Sequence, residues 1–118
     1  MTLREIMTIV EGRVLSGSEL LDREVEVGCG SDLMSDVLAF IKPDSLLLTG
    51  LTNPQVIRTA EMADIKAICF VRGKQPGKEV IALAKEKEIV LLATSLPMFE
   101  ACGRLYRNGL AGCSEYKG

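Results

Sequence analysis

Hydrophobic positions along this chain of 118 residues alternate between a helical spacing and short continuous runs. Apolar residues spaced by three and four positions, which share one face of a helix, recur five times. These stripes lie at residues 3–10, 34–41, 56–63, 80–84 and 99–106, the last made of Phe99, Cys102, Leu105 and Tyr106. Continuous apolar runs, typical of strands covered on both faces, lie at residues 45–49, 66–71 and 89–93.

Weaker patterns predict two further strands near the N-terminus. Residues 13–15 form a short extended piece, and residues 24–27 alternate polar and apolar, as in a half-buried strand at a sheet edge. Thr2 and Glu5 have the spacing of a capping box at the start of the first helix.

Strands that alternate with helices of this length predict a parallel sheet with right-handed crossovers. The fold class is therefore α/β, as a single three-layer α/β/α domain with a mainly parallel sheet. We expect the domain to span residues 1–110. Residues 111–118 are expected to form a flexible tail, because the chain is rich in glycine from about residue 109.

Composition and charge exclude several classes of protein. The net charge is −2, the sequence pI is about 5.2 and aromatic residues make up 4%, which argues against nucleic acid as a partner. No apolar run reaches the roughly 20 residues that span a bilayer, and the first residues do not resemble a signal peptide. We therefore expect a cytoplasmic protein with no membrane partner. The mean hydropathy of +0.23 suggests that some surface is buried against another protein.

The chain contains no histidine and four cysteines, Cys29, Cys69, Cys102 and Cys113. The absence of histidine excludes Ser-His and Cys-His nucleophile pairs. None of the cysteines form a C-x-x-C pair, so reduced, mostly buried thiols are favoured over a zinc site. No metal and no cofactor are expected.

Four loops are expected at the carboxyl edge of the sheet, where open parallel sheets bind ligands. They carry glycine, hydroxyl and basic residues before helix N-termini, which suits an anionic or nucleotide ligand. The candidate binding residues are Gly28, Gly30, Ser31, Thr49, Thr52, Asn53, Arg72, Gly73, Lys74, Thr94 and Ser95. The competing explanation is that helix caps and tight turns select these residue types anyway, and that Arg72 pairs with a surface acid.

Asp32 and Asp36 lie in a repeated Ser-Asp pattern, Ser31-Asp32 and Ser35-Asp36. Such oxygens are possible ligands for a divalent cation. A structural role is favoured, with Ser31 or Asp32 capping the helix that follows and Asp36 one turn further along it.

The chain resembles the DRTGG domain family over about residues 1–110. The resemblance rests on Leu21-Asp22-Arg23-Glu24-Val25, on Gly28, on residues 31–37, on Val71-Arg72-Gly73 and on residues 99–106. Where the family commonly has Thr-Gly-Gly, this chain has Glu26-Val27-Gly28, so one glycine is missing.

The resemblance implies an α/β domain similar to the N-terminal domain of HPr kinase/phosphorylase. Such domains occur in CBS-domain pyrophosphatases and some phosphotransacetylases, and as stand-alone proteins, some encoded near iron hydrogenases. The family is associated with regulatory assemblies and dimer contacts, and no catalytic residues carry over from it. It implies an accessory or regulatory module, most simply a homodimer.

Three functions remain open. The favoured one is a non-catalytic regulatory or interaction domain that acts as a homodimer and regulates an enzyme, accessory to a metabolic or hydrogenase system. The alternatives are a sensor of an anionic or nucleotide ligand, and an enzyme or redox protein that uses a cysteine. For the homodimer we expect pairing through the edge strand at Val25 and Val27. Asp22 is expected to accept backbone N–H groups in its turn, and Arg23 to reach a carboxylate.

Overall fold

The computed structural model describes residues 1–116, which form one six-stranded sheet with helices on both faces. The strands are β1 (Arg13–Ser16), β2 (Val27–Gly30), β3 (Ser45–Thr49), β4 (Ala67–Phe70), β5 (Val90–Ala93) and β6 (Ala111–Gly112). Their order across the sheet is β1-β5-β4-β3-β2-β6. Only β1 runs antiparallel to its neighbour, and the other four pairings are parallel.

Five helices cover the sheet in two layers, which confirms the α/β class predicted from the sequence. They are α1 (Leu3–Ile9), α2 (Met34–Phe40), α3 (Pro54–Met62), α4 (Lys78–Glu86) and α5 (Met98–Arg107). The apolar residues of α1 and α5 share one core cluster, and those of α2, α3 and α4 share the other. Because successive side chains of a strand point to opposite faces, Leu46 and Leu48 join the first cluster and Leu47 joins the second.

The capping box predicted for α1 is present. The Thr2 Oγ1 atom accepts a hydrogen bond from the Glu5 backbone N–H at 3.1 Å, and a Glu5 carboxylate oxygen accepts one from the Thr2 N–H at 2.9 Å. That hydrogen bond from the Thr2 backbone lowers the pKa of the Glu5 carboxyl, because it favours the charged form.

The edge strand predicted at residues 24–27 is wrong in its residue range and in its location within the sheet. The strand begins at Val27 and continues through Gly30, and β6 covers its outer side. Val25 and Val27 are each only 1% exposed, so they cannot pair or pack with a second copy. A strand of two small residues carries no periodicity, so β6 was not visible in the sequence.

Structure also extends beyond the point where the sequence predicts a tail. Ala111 and Gly112 pair in register with Val27 and Gly28, and a 3-10 turn follows at Cys113–Glu115. The Gly112 N–H donates to the Glu115 carboxylate at 2.8 Å, which holds that turn. Residues 117–118 lie outside the described part of the chain.

Asp22 and Arg23 make different contacts from those predicted. Asp22 forms an exposed ion pair with Arg4, with 3.1 Å between Arg4 Nε and Asp22 Oδ1. The Arg23 guanidinium donates to two backbone carbonyls, of Lys66 at 3.2 Å and of Glu88 at 2.9 Å. Lys66 directly precedes β4 and Glu88 lies two residues before β5, so Arg23 ties the N-terminal segment to the amino edge of the sheet.

We predict that Arg23→Ala lowers the free energy of unfolding by about 1–2 kcal/mol, because two carbonyls lose a charged donor. The matched control is Asp22→Ala, which removes only an exposed ion pair and is expected to cost about 0–1 kcal/mol. Urea unfolding of both variants measures the difference. Equal midpoints for the two variants would contradict the assignment of Arg23.

Candidate functional site

Asp32 is the hub of the carboxyl edge of the sheet. It follows β2, and its Oδ1 atom accepts hydrogen bonds from Thr49 Oγ1 at 3.0 Å and from the Gly50 N–H at 2.7 Å. Its Oδ2 atom faces Arg72 Nη2 at 3.5 Å. One carboxylate therefore links the loops that follow β2, β3 and β4.

Neither Ser31 nor Asp32 caps α2, contrary to the expectation from the sequence. The N-cap of α2 is Leu33, and no side chain bonds the first turn of that helix. The Ser31 hydroxyl instead accepts a hydrogen bond from the Leu33 N–H at 3.0 Å. Asp32 bonds to the neighbouring β3 loop because its side chain reaches across the sheet edge, which local sequence does not reveal.

Arg72 occupies an unusual backbone conformation beside that hub. Its φ is +61°, and Gly73 follows with a φ of +72°, so two successive residues lie in the left-handed region that non-glycine residues rarely adopt. The turn is closed by the Lys74 N–H, which donates to the Val71 carbonyl at 3.2 Å. The Arg72 guanidinium lies over Gly50, where an added Cβ would stand 2.3 Å from Nη2. Arg72 is thus held against Asp32, and the carboxylate offsets its charge.

The hydroxyl groups predicted to bind a ligand make internal hydrogen bonds. Besides its bond to Asp32, Thr49 Oγ1 accepts from the Leu51 N–H at 3.2 Å. Thr94 Oγ1 donates to the Val10 carbonyl at 2.7 Å and accepts from the Leu96 N–H at 3.1 Å. Both threonines are buried. These contacts stabilise the loops and leave little hydrogen-bonding capacity for a ligand.

Four of the predicted residues meet in a polar cavity of about 340 Å³ at the ends of β4 and β5. The cavity is lined by Glu11, Gly12, Arg13, Gly73, Lys74, Gln75, Ala93, Thr94 and Ser95. The sequence did not place residues 11–13 here, because only the antiparallel pairing of β1 with β5 brings them to this edge. Thr52 and Asn53 do not line it; Asn53 is the N-cap of α3 without a side-chain bond.

Gly28 and Gly30 lie elsewhere, in the middle and at the end of β2, under α5. Added Cβ atoms there would stand 2.9 Å from Leu110 Cδ2 and 2.7 Å from Cys102 Sγ, so glycine at both positions lets these two side chains pack closely on the strand. They form the floor of an apolar cavity of about 300 Å³. Its other lining residues are Leu48, Phe99, Cys102, Gly103, Leu105, Tyr106, Leu110, Ala111 and Gly112.

The face of α5 differs from the predicted stripe. Ala101 and Leu105 are buried, whereas Phe99 is 87% and Tyr106 is 61% exposed. The sequence pattern did not distinguish these faces, because apolar residues occur on both sides of this helix. Two aromatic rings therefore stand at the surface beside the apolar cavity.

Three of the four cysteines have thiols with raised pKa values. Burial raises the pKa of the Cys69 thiol from 9.0 to about 12. Burial, together with the neighbouring Cys113, raises the pKa of Cys29 from 9.0 to about 11. Burial also raises the pKa of Cys102. Near neutral pH these three thiols stay protonated, and a protonated thiol is a poor nucleophile.

The described part of the chain is residues 1–116. No group of three or more His, Cys, Asp or Glu side chains in that range is arranged to hold a metal ion. Within the same range, no helix has both the length and the apolar character needed to cross a membrane.

We predict that stability falls as the pH rises above about 9, because the unfolded chain then loses thiol protons that native Cys29 and Cys69 keep. Below that pH both states hold the protons, and the thiols contribute no pH dependence. Urea unfolding at about pH 8 and about pH 10.5 measures the change. Cys69→Ala serves as the control, since its own stability should fall less over this interval. An equal fall in the variant would contradict the prediction.

A solved structure shares the fold of the whole domain. A search of curated proteins finds no match. Among solved structures, the chain is similar to the "CBS and DRTGG domains of the regulatory region of Clostridium perfringens pyrophosphatase complexed with activator, diadenosine tetraphosphate". The TM-score is 0.73 at 18% identity, and the match covers 98% of this chain but only 50% of that one. At this identity the likeness establishes the fold.

The family model named DRTGG domain matches residues 5–107. That range includes all five helices apart from the first two residues of α1, and every strand except β6. The match agrees with the resemblance seen at Asp22-Arg23 and at residues 31–37. This chain therefore belongs to the DRTGG domain family.

Proposed function

We propose that this chain is a non-catalytic regulatory domain that works through contact with other protein surfaces and forms a homodimer. The observation that carries the proposal is the surface along α5. There, the exposed rings of Phe99 and Tyr106 stand beside an open cavity with an almost wholly apolar lining. Exposed aromatic groups next to an apolar groove are typical of protein interfaces.

The polar carboxyl edge of the sheet also supports the proposal, because several of its polar side chains are already bonded within the chain. Arg72 is paired with Asp32, and Thr49 and Thr94 are bonded within the chain. No buried side-chain nitrogen or oxygen within residues 1–116 lacks a hydrogen-bond partner. Active sites commonly hold polar groups with shifted pKa values in a cleft. Here the raised pKa values belong to three protonated thiols and to the exposed Lys87 ammonium, whose pKa the hydrogen bond to Glu61 raises.

Family membership supports a regulatory role. The structurally similar protein is the regulatory region of a pyrophosphatase, in which a DRTGG domain accompanies CBS domains. By analogy, the partner of this chain is an enzyme of a metabolic or hydrogenase system, which the domain regulates while paired with a second copy of itself. The mean hydropathy of +0.23 fits a chain that covers part of its surface in an assembly.

We predict a homodimer at micromolar concentration, because burying the aromatic surface of α5 removes apolar area from water. Light scattering coupled to size exclusion measures the mass across a concentration series. The mass should approach twice the 12.8 kDa of the chain. A mass that stays at that of a single chain up to about 100 μM would contradict the homodimer. Any association would then be weaker than about 5 kcal/mol.

A second candidate function is a sensor of an anionic or nucleotide ligand, favoured by the polar cavity at the ends of β4 and β5. Arg13 and Lys74 line it, beside the backbone of Gly73. Glu11 also lines the cavity, and its negative charge opposes the binding of an anion. Arg104 pairs with the Glu11 carboxylate at 3.0 Å, which offsets part of that charge. An anion would therefore sit between Arg13 at the start of β1 and Lys74 after β4, across the carboxyl end of β5.

For this sensor we predict amide shifts of Gly73, Lys74 and Ser95 when phosphate or ATP is titrated into labelled protein, because these residues line the cavity. Lys74→Ala should abolish the shifts. Lys78→Ala is the matched control, since Lys78 begins α4 and does not line the cavity. An absence of amide shifts up to about 10 mM ligand would reject the sensor, because any binding would then be weaker than about 3 kcal/mol.

A further inference from the structure

The exposed strip of α5 carries two pairs of residues at the same spacing. Phe99 and Tyr106 form the aromatic pair, and Glu100 and Arg107 form the charged pair. A spacing of seven residues is two helical turns, so the members of each pair lie on one side of the helix about 10 Å apart. Gly103 lies next to the midpoint of each pair. Each half of the strip, on either side of Gly103, therefore carries one aromatic and one charged residue.

No contact among residues 1–116 requires a glycine at position 103. It lies inside a ten-residue helix, where glycine costs about 1 kcal/mol relative to alanine. Its φ is not in the left-handed region, and an added Cβ would meet no atom of the described residues within 4 Å. A glycine at an exposed helix surface is what the close approach of a second backbone requires.

The charged pair would be satisfied by a second copy running in the opposite direction. Glu100 and Arg107 form no ion pair with any residue in the range 1–116, and both are exposed. In an antiparallel pair of α5 helices, Glu100 of each copy lies opposite Arg107 of the other. In a parallel pair, like charges would meet and repel.

Both flanks of the strip suit this arrangement. On one side lies the apolar cavity bounded by Phe99, Gly103 and Tyr106. On the other lies a second cavity of about 300 Å³, lined by Phe99, Glu100, Gly103, Arg104 and Arg107. A two-fold axis perpendicular to the plane of the two helices brings apolar flank against apolar flank and charged flank against charged flank.

We propose that α5 pairs with α5 of a second copy, antiparallel about a two-fold axis at Gly103. Phe99 of each copy packs on Tyr106 of the other and fills the apolar cavity, while Glu100 pairs with Arg107. This proposal rests on the homodimer of the proposed function and adds its surface and register. The helix is about 15 Å long, so the contact is at the small end of specific interfaces and fits micromolar dissociation.

Sedimentation equilibrium of single variants tests the surface. Phe99→Ala should raise the dissociation constant of the dimer by about tenfold or more, as for an aromatic anchor at an interface centre. The matched control is Phe40→Ala on α2, in the opposite layer, where the ring is 65% exposed; it should leave the constant unchanged. Gly103→Ala should weaken the dimer while the urea midpoint of the monomer holds or rises, since alanine favours the helix.

Charge reversal tests the register. Glu100→Arg and Arg107→Glu should each weaken the dimer, because each places like charges together across the axis. The double variant restores opposite charges and should recover most of the wild-type affinity, as only a direct pair does. Circular dichroism of each variant establishes that the monomer is folded.

The outcomes separate this inference from the proposed function. A wild-type dimer that Phe99→Ala leaves intact overturns the α5 surface, and the homodimer stands on another face. A double charge variant no better than the single ones overturns the antiparallel register. A wild-type chain that is monomeric throughout overturns the surface and the homodimer together.

Discussion

Burial of β3, β4 and β5 on both faces is the constraint on which the rest of this structure depends. Every residue of these strands is buried, and each large apolar side chain removed from water contributes about 1.5–3 kcal/mol. Strands of this kind are stable only if helices cover the two sides of the sheet. The helices α1 and α5 on one face, and α2, α3 and α4 on the other, meet that requirement.

The strand β2 is less completely buried than the three central strands, and its two glycines lie beneath the apolar cavity beside α5. Side chains at Gly28 and Gly30 would collide with Leu110 and Cys102, so glycine lets α5 and the segment after it lie close to the strand. An apolar cavity lies between α5, β2 and β6 beside these close contacts. The surface best suited to contact another protein is thus a consequence of how this edge packs.

Open α/β sheets commonly hold ligands at the carboxyl edge. Here, side chains and backbone groups at that edge bond to one another. Asp32 gathers Thr49, Gly50 and Arg72 into one hydrogen-bonded group. The strained backbone of Arg72 is held by its own N–H, which donates to the Leu96 carbonyl at 2.8 Å. Strain of this kind is often stored at functional sites, and in this domain it serves to place the guanidinium against Asp32.

The sequence alone determined the fold class, the three buried strands, the capping box of α1 and membership of the family. Each of these depends on local periodicity or on short motifs, such as the run Ser45-Leu46-Leu47-Leu48-Thr49, which no helix or exposed strand would explain. Only the tertiary structure decided that Ala111 and Gly112 cover β2, that Arg23 bonds carbonyls 43 and 65 residues away, and that Phe99 and Tyr106 face outward. These features depend on contacts between distant segments, and the period of an amphipathic helix does not specify which of two apolar flanks will meet the sheet.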